Sequence, residues 1–361
     1  VTDGAAPDRA GPGDRPTRVL LLGATGTIGR ATASALVERG YHVVSLLRGR
    51  AGEQDGRRSL PDRVEVRFAD VLDPVSIVRD GFRGERFDAV ISCMASRTGV
   101  AADAWAVDHR AHLNVLTAAK QADVEQFVLL SAICVQKPRL AFQHAKLAFE
   151  AELQRSDLTW SIVRPTAYFK SLSGQVARVK AGEPFLIFGD GTLTACKPIG
   201  DRDLADYLVG CLEDPGRQGR VLPIGGPGPA ETPRRQGERL FELLGREPRF
   251  RSVPPALLDA VAGGLGLAGA VVPSLAVKAE LARIGRYYAT GSMLVWDPVT
   301  GRYDPDATPE TGTDTLADFH ARLLRGEASV DLGGQAVFSP SGPRADAGRS
   351  APRFTPSGSS G

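Results

Sequence analysis

The feature that most constrains this chain is a glycine loop set between an apolar run and a helical one. Arg18 to Leu22 reads as a strand, Gly23-Ala24-Thr25-Gly26-Thr27-Ile28-Gly29 follows it, and helical spacing runs from Ile28 to Arg39 with Gly40 as its stop. Gly23 permits a tight turn, Gly26 lets the backbone approach a pyrophosphate, and Gly29 permits close packing of helix on sheet. The free N–H groups at the helix start suit phosphate oxygens. Glycines also punctuate ordinary turns, so the loop alone is a weak signal. The strand before it and the helix after it supply the specificity. The expectation is a nucleotide held by Gly23, Thr25, Gly26, Thr27, Ile28 and Gly29.

Further strands are predicted at His42 to Leu47, Val64 to Phe68, Asp88 to Ser92, Gln126 to Ser131 and Trp160 to Arg164, with helices at Trp105 to Gln121 and Leu140 to Arg155. Strands alternating with helices predict an α/β fold: a Rossmann-like doubly wound parallel sheet covered on both faces. After Arg164 the rhythm breaks. Helices are predicted at Asp201 to Leu212, Arg234 to Leu244, Pro255 to Ala262 and Leu275 to Tyr288, among short irregular segments. This gives a dinucleotide-binding core over residues 17–170, to which about 195–225 return, and a smaller C-terminal substrate lobe over 171–330. Residues 1–16 and 331–361 lack apolar periodicity and read as disordered tails, with Ser357 to Gly361 resembling a linker or tag remnant.

With 361 residues, 42% of them hydrophobic and 24% charged, the chain has material for a large core. A net charge of +2 gives no basic face on which to argue a nucleic-acid partner. The four cysteines, Cys93, Cys134, Cys196 and Cys211, lie far apart without a C-x-x-C pair. Isolated buried thiols are therefore expected, not a disulfide framework or zinc site, and no metal is assigned. No leader pattern is expected, and no apolar run reaches the roughly 18 residues of a spanning helix. The expected location is cytoplasmic and reducing. The apolar, glycine-rich stretch Pro254 to Val277 is left open as a lid over a large flat ligand, a packed helix pair or a contact at a membrane surface.

Strand two ends at Leu46-Leu47-Arg48, with Arg48 19 residues beyond Gly29. Asp or Glu there would bind a ribose 2′-hydroxyl. Arg48, with Arg50 close by, instead suits a 2′-phosphate, so NADPH is the expected cofactor. Asp70, after strand three, is placed either to reach the adenine amino group or to cap a helix. Val71 stands beside it. Ser92 to Arg97 are expected to line the ribose and nicotinamide.

In short-chain dehydrogenases such a loop is usually paired with Tyr-x-x-x-Lys, whose tyrosine donates a proton. This chain has Phe142-Gln143-His144-Ala145-Lys146: the lysine stands, and a benzyl ring that cannot carry a proton replaces the tyrosine. The loop, Ser131 and Lys146 together resemble the atypical, extended branch of that superfamily. Leu129 to Cys134, Phe142 to Glu150, Ile162 to Lys170 and Ile199 to Ala205 more narrowly resemble the divinyl chlorophyllide 8-vinyl reductases, over roughly residues 18–330. In that family phenylalanine at this position is the rule. The resemblance implies NADPH-dependent reduction of the 8-vinyl group of a divinyl chlorophyllide or protochlorophyllide to ethyl. The substrate would be a tetrapyrrole carrying its own magnesium, met in the cytoplasm or at the periphery of a photosynthetic membrane.

Reduction of a ketone needs a nearby acid for the alkoxide, whereas charge from a reduced vinyl group spreads into the macrocycle. On this reading Lys146 bonds the nicotinamide ribose, Ser131 stands against the nicotinamide, and Phe142 supplies an apolar wall. Phe169 would line the substrate site, Tyr168 and Phe169 being equally suited to the core; Lys170 or Arg164 would meet a propionate, Arg164 being equally suited to a structural hydrogen-bond donor. The proton comes from water, Tyr168 or His144; the residues do not choose. Two alternatives stay open. One is another NADP-dependent alkene reductase of the isoflavone-reductase-like type. The other is an NADP-binding sensor or assembly factor without catalysis.

Overall fold

A computed structural model describes residues 17–49, 57, 59–269 and 273–330. The two expected tails and Arg50 lie outside the described residues. Seven parallel strands form the main sheet: β1 (Arg18–Leu22), β2 (His42–Leu47), β3 (Glu65–Phe68), β4 (Ala89–Ser92), β5 (Gln126–Leu130), β6 (Thr159–Pro165) and a later strand, Arg220–Ile224. Their order is β3-β2-β1-β4-β5-β6, with Arg220–Ile224 at the far edge beside β6. The sheet grows outward from β1 to β3, then restarts on the other side of β1 with β4. Such a reversal opens a crevice at the carboxyl ends of β1 and β4.

The apolar runs are continuous because both faces are covered. Val19 and Leu21 of β1 pack with Leu36 of helix α1 (Thr27–Glu38) and with Leu208. Leu20 and Leu22 face the other way, toward Val115 and Phe149. Val115 belongs to α2 (His112–Gln121) and Phe149 to α3 (Ala141–Gln154), while Leu208 belongs to α4 (Asp201–Glu213).

Two predicted helices differ from those observed. The helix predicted from Trp105 begins at Ala101, and its Trp105–Ala111 segment is π-helical before α2 takes over. The extra residue per turn changes which side chains face inward, and such segments favour functional sites. The helix predicted to stop at Ala262 continues as α6 (Pro255–Gly269) through its glycines. It packs along α7 (Pro273–Thr290), and tertiary contact outweighs glycine's low helix propensity. Between α4 and α6 come the seventh strand, β7, and a helix, α5 (Pro233–Leu243). Phe185–Phe188 and Phe250–Val253 form a separate parallel pair, and Leu240 and Phe241 of α5 share their apolar cluster.

Candidate functional site

The glycine loop lies in the crevice. Gly23 has φ +73°, a left-handed conformation that favours glycine, and a Cβ there would sit 2.6 Å from the Cys93 backbone. A Cβ on Gly29 would collide with the Gly23 carbonyl oxygen. The helix start therefore lies flush on the strand ends. No side chain caps α1, whose N-cap is Gly26, so its first N–H groups are open to an anion. These features fit a dinucleotide pyrophosphate. Lys170, from the segment after β6, donates to Thr27 Oγ1 at 3.2 Å.

Arg48 is exposed at the end of β2, where a 2′-phosphate would be read. Asp70 is also exposed, and its Oδ1 accepts from Leu72 N at 2.9 Å. Of the two roles left open for Asp70, the helix cap is filled by Asp73, whose carboxylate accepts from Val75 N at 3.0 Å. Val71 is buried, and its carbonyl accepts from Asn114 Nδ2 at 3.2 Å.

Across the crevice, Lys146 Nζ pairs with Asp108 Oδ1 at 3.0 Å. The π-helical segment turns Asp108 inward, where its side chain is 0% exposed; its Oδ1 also accepts from Ser96 N at 3.2 Å. Its Oδ2 is buried without a hydrogen-bond partner among the described residues. His112, one turn on, is buried, with Nε2 2.8 Å from Ser92 Oγ and Nδ1 2.8 Å from the Val107 carbonyl. Burial, reinforced by the charge on Lys146, lowers its pKa to about 4.

Ser131 is buried at the end of β5, and its Oγ donates to Glu150 Oε1 at 2.5 Å. Glu150 is also the ion-pair partner of Arg164. The hydroxyl proton of Ser131 is thus directed to a carboxylate, and the Arg164 guanidinium is paired with that same carboxylate. Tyr168 leads out of β6. Burial raises its pKa, and Cys93, Cys134 and Asp201 add to the rise. Its hydroxyl forms no hydrogen bond among the described residues. Tyr288 of α7 approaches the same place, its hydroxyl 4.0 Å from Cys134 Sγ.

The three expected substrate residues all make contacts within the protein. Phe142 is only 8% exposed, in an apolar cluster with Ile133, Leu140, Ala145 and Ile284. Phe169 is 2% exposed and stacks on Phe319 at 5.5 Å. Lys170 points to the glycine loop. His144 is exposed on α3, away from the buried Lys146 pair. The four cysteines are free thiols.

Sequence reasoning missed Asp108, Glu150 and Gln143. Gln143 is fully buried, accepts from the Arg139 and Leu140 N–H groups and donates to the Cys134 carbonyl, fixing the segment before α3. One signal was available: Lys146 and Glu150 are four apart on one helix and so share a face. Beside that segment an open cleft of about 440 Å³ is lined by Arg139, Leu140, Asp259, Arg283, Arg286 and Tyr287. Arg286 pairs with Asp259 and Arg283 with Glu280, whereas the Arg139 guanidinium has no partner among the described residues.

The chain matches the family model described as NAD(P)H-binding over residues 23–215. It is 48% identical over 346 residues to a maize (Zea mays) protein named divinyl chlorophyllide a 8-vinyl-reductase, chloroplastic, covering 92% of this chain and 86% of that one. The Arabidopsis thaliana protein of the same name is 47% identical over 331 residues, 88% of this chain and 79% of that one. Among solved structures, an Escherichia coli NADPH-dependent quinone oxidoreductase complexed with NADPH aligns with TM-score 0.59 at 19% identity, covering 85% and 99% of the two chains; that likeness speaks to fold. No helix among the described residues is long and apolar enough to cross a membrane.

Proposed function

The chain belongs to the divinyl chlorophyllide a 8-vinyl-reductase family, and we propose that it reduces the 8-vinyl group of a 3,8-divinyl chlorophyllide or protochlorophyllide to ethyl with NADPH. One observation carries this reading: the match runs through the nucleotide-binding half and the C-terminal half alike, over 92% of the chain. Other nicotinamide enzymes and non-catalytic binders share the glycine loop, which by itself does not separate this reading from theirs.

When bound, NADPH supplies the hydride. The chain's own residues hold and orient it. Gly23, Gly26 and Gly29 bring the α1 N–H groups to the pyrophosphate, with Thr25, Thr27 and Ile28 beside them. Arg48 reads the 2′-phosphate, and Asp70 and Val71 border the adenine. Lys146, steadied by Asp108, presents its ammonium to the nicotinamide ribose. Ser131, tied to Glu150, forms part of the wall beside the nicotinamide.

No phenol stands at position 142, and none is required there for an alkoxide. Negative charge developing on reduction delocalises into the conjugated ring of the substrate. One proton must still arrive at carbon. Tyr168 is the side chain best placed to hold it, because burial keeps its hydroxyl protonated and no protein acceptor among the described residues claims it. The cleft at Arg139 fits the acid group of the macrocycle, since a guanidinium without a carboxylate partner favours one. A peripheral contact with a photosynthetic membrane belongs to the same proposal.

The test is turnover. Purified protein with NADPH and divinyl chlorophyllide should yield the monovinyl product, read as a Soret shift. No conversion of either divinyl chlorophyllide or divinyl protochlorophyllide would end the proposal.

A further inference from the structure

Lys170 is half-buried and comes from the segment after β6, far from the glycine loop in sequence. Its Nζ nevertheless rests 3.2 Å from Thr27 Oγ1, at the first residue of α1. That hydroxyl is neutral. Lys170 has no carboxylate within ion-pair distance among the described residues. The N-terminus of α1 is itself the positive end of a helix dipole, without a capping side chain. An ammonium packed against a positive helix end is unfavourable unless an anion sits between or beside them. Arg30 adds a second cation on the same turn, its guanidinium held on the Thr25 carbonyl at 2.9 Å.

A counter-charge that both cations feel is Asp201, the first residue of α4. Lys170 and Arg30 both act on its carboxyl, and burial opposes its ionisation. One partly disfavoured carboxylate faces two cations and a helix end, which leaves the corner net positive.

We infer that Lys170 is a pyrophosphate-binding residue: its ammonium closes over the glycine loop and shares the dinucleotide phosphates with the α1 N–H groups. The inference rests on the reading that this loop holds NADPH, and it takes Lys170 away from the substrate. A charge-assisted contact of this kind is worth about tenfold or more in affinity.

The pyrophosphate is common to NADPH and NADH, whereas the 2′-phosphate is not. Binding of each to the full chain without substrate, followed by reduced-nicotinamide fluorescence, therefore isolates the contact. Lys170→Gln should weaken both ligands by the same factor, about tenfold or more, leave the melting temperature of the ligand-free protein unchanged, and be largely rescued in Lys170→Arg. Should the glutamine variant not fold, Lys170→Met reads the same contact. Unchanged affinity for both cofactors would overturn the inference. So would a loss confined to NADPH, which would make Lys170 a reader of the 2′-phosphate. Failure of the vinyl-reductase reading would show separately, as absence of turnover in the unaltered protein that still binds cofactor.

Discussion

Lys146 Nζ and Asp108 Oδ1 form a 3.0 Å ion pair at the mouth of the crevice, with Asp108 fully buried and Lys146 only 12% exposed. A buried pair of this kind is costly to break from either side, because the survivor keeps its charge without compensation. Lys146→Ala should therefore do two things. NADPH binding should weaken strongly, and the ligand-free protein should lose about 3 kcal/mol of stability, read by urea unfolding. Asp108→Asn should share the stability loss and weaken cofactor binding through a lysine no longer held. Unchanged NADPH affinity in Lys146→Ala would remove the lysine from the cofactor site.

Arg48 is exposed at the end of β2, so its substitution should cost little stability. Arg48→Ala should narrow the preference for NADPH over NADH by roughly tenfold, in contrast to the uniform loss expected at Lys170. Steady-state kcat/KM with each cofactor measures the ratio, and an unmoved ratio would assign the phosphate to another group.

The hydroxyl of Tyr168 is a matter of one atom. Tyr168→Phe keeps the half-buried ring and removes the proton. Turnover should fall by about 10²-fold with NADPH affinity intact, and the solvent isotope effect should change. Full activity in Tyr168→Phe would hand the proton to water.

The guanidinium of Arg139 is exposed and has no hydrogen-bond or ion-pair partner among the described residues, in a cleft it shares with Arg283 and Arg286. Arg139→Ala should raise KM for the tetrapyrrole about tenfold, through loss of a charge-assisted contact, while kcat stays near that of the unaltered enzyme. An unchanged KM would place the substrate's acid group elsewhere.

Acid sensitivity follows from two buried imidazoles. His112 and His320 both titrate near about 4 in the folded chain, displaced chiefly by burial from the usual 6.5. Between those values the unfolded chain binds more protons than the folded one, so stability rises with pH across this window. It is fully present above about 6.5 and drains as pH falls toward 4. Urea midpoints measured over that range should fall with acid, and His320→Gln should flatten the slope by about one proton. A slope unchanged by that substitution would contradict the burial of His320 as a neutral ring.

The parallel sheet was legible because its strands are short apolar runs at regular intervals. β1 and β2 begin and end as the periodicity places them. Charged residues were less legible. Glu150 shares a helix with Lys146, yet it bonds Ser131 and Arg164, 19 and 14 residues away. Its partners depend on how β5 and β6 lie beside α3. The burial of the aromatic residues was hidden for a related reason. Phe142 and Phe169 look equally suited to a flat ligand and to a core, and their burial against Ile284 and Phe319 comes from segments far along the chain.

The sequence by itself determined the glycine loop, the strands around it and the absence of a phenol at position 142. Those are local properties: backbone freedom, apolar periodicity and the chemistry of one side chain. Only the tertiary structure decided that Asp108 holds Lys146 and that Lys170 reaches Thr27 across 143 residues. The crossovers of the sheet bring those groups together at the strand ends, and no spacing along the chain encodes that distance. The lysine of Phe142-x-x-x-Lys146 is thus set by the motif, while what makes it effective is a carboxylate turned inward by a π-helical segment.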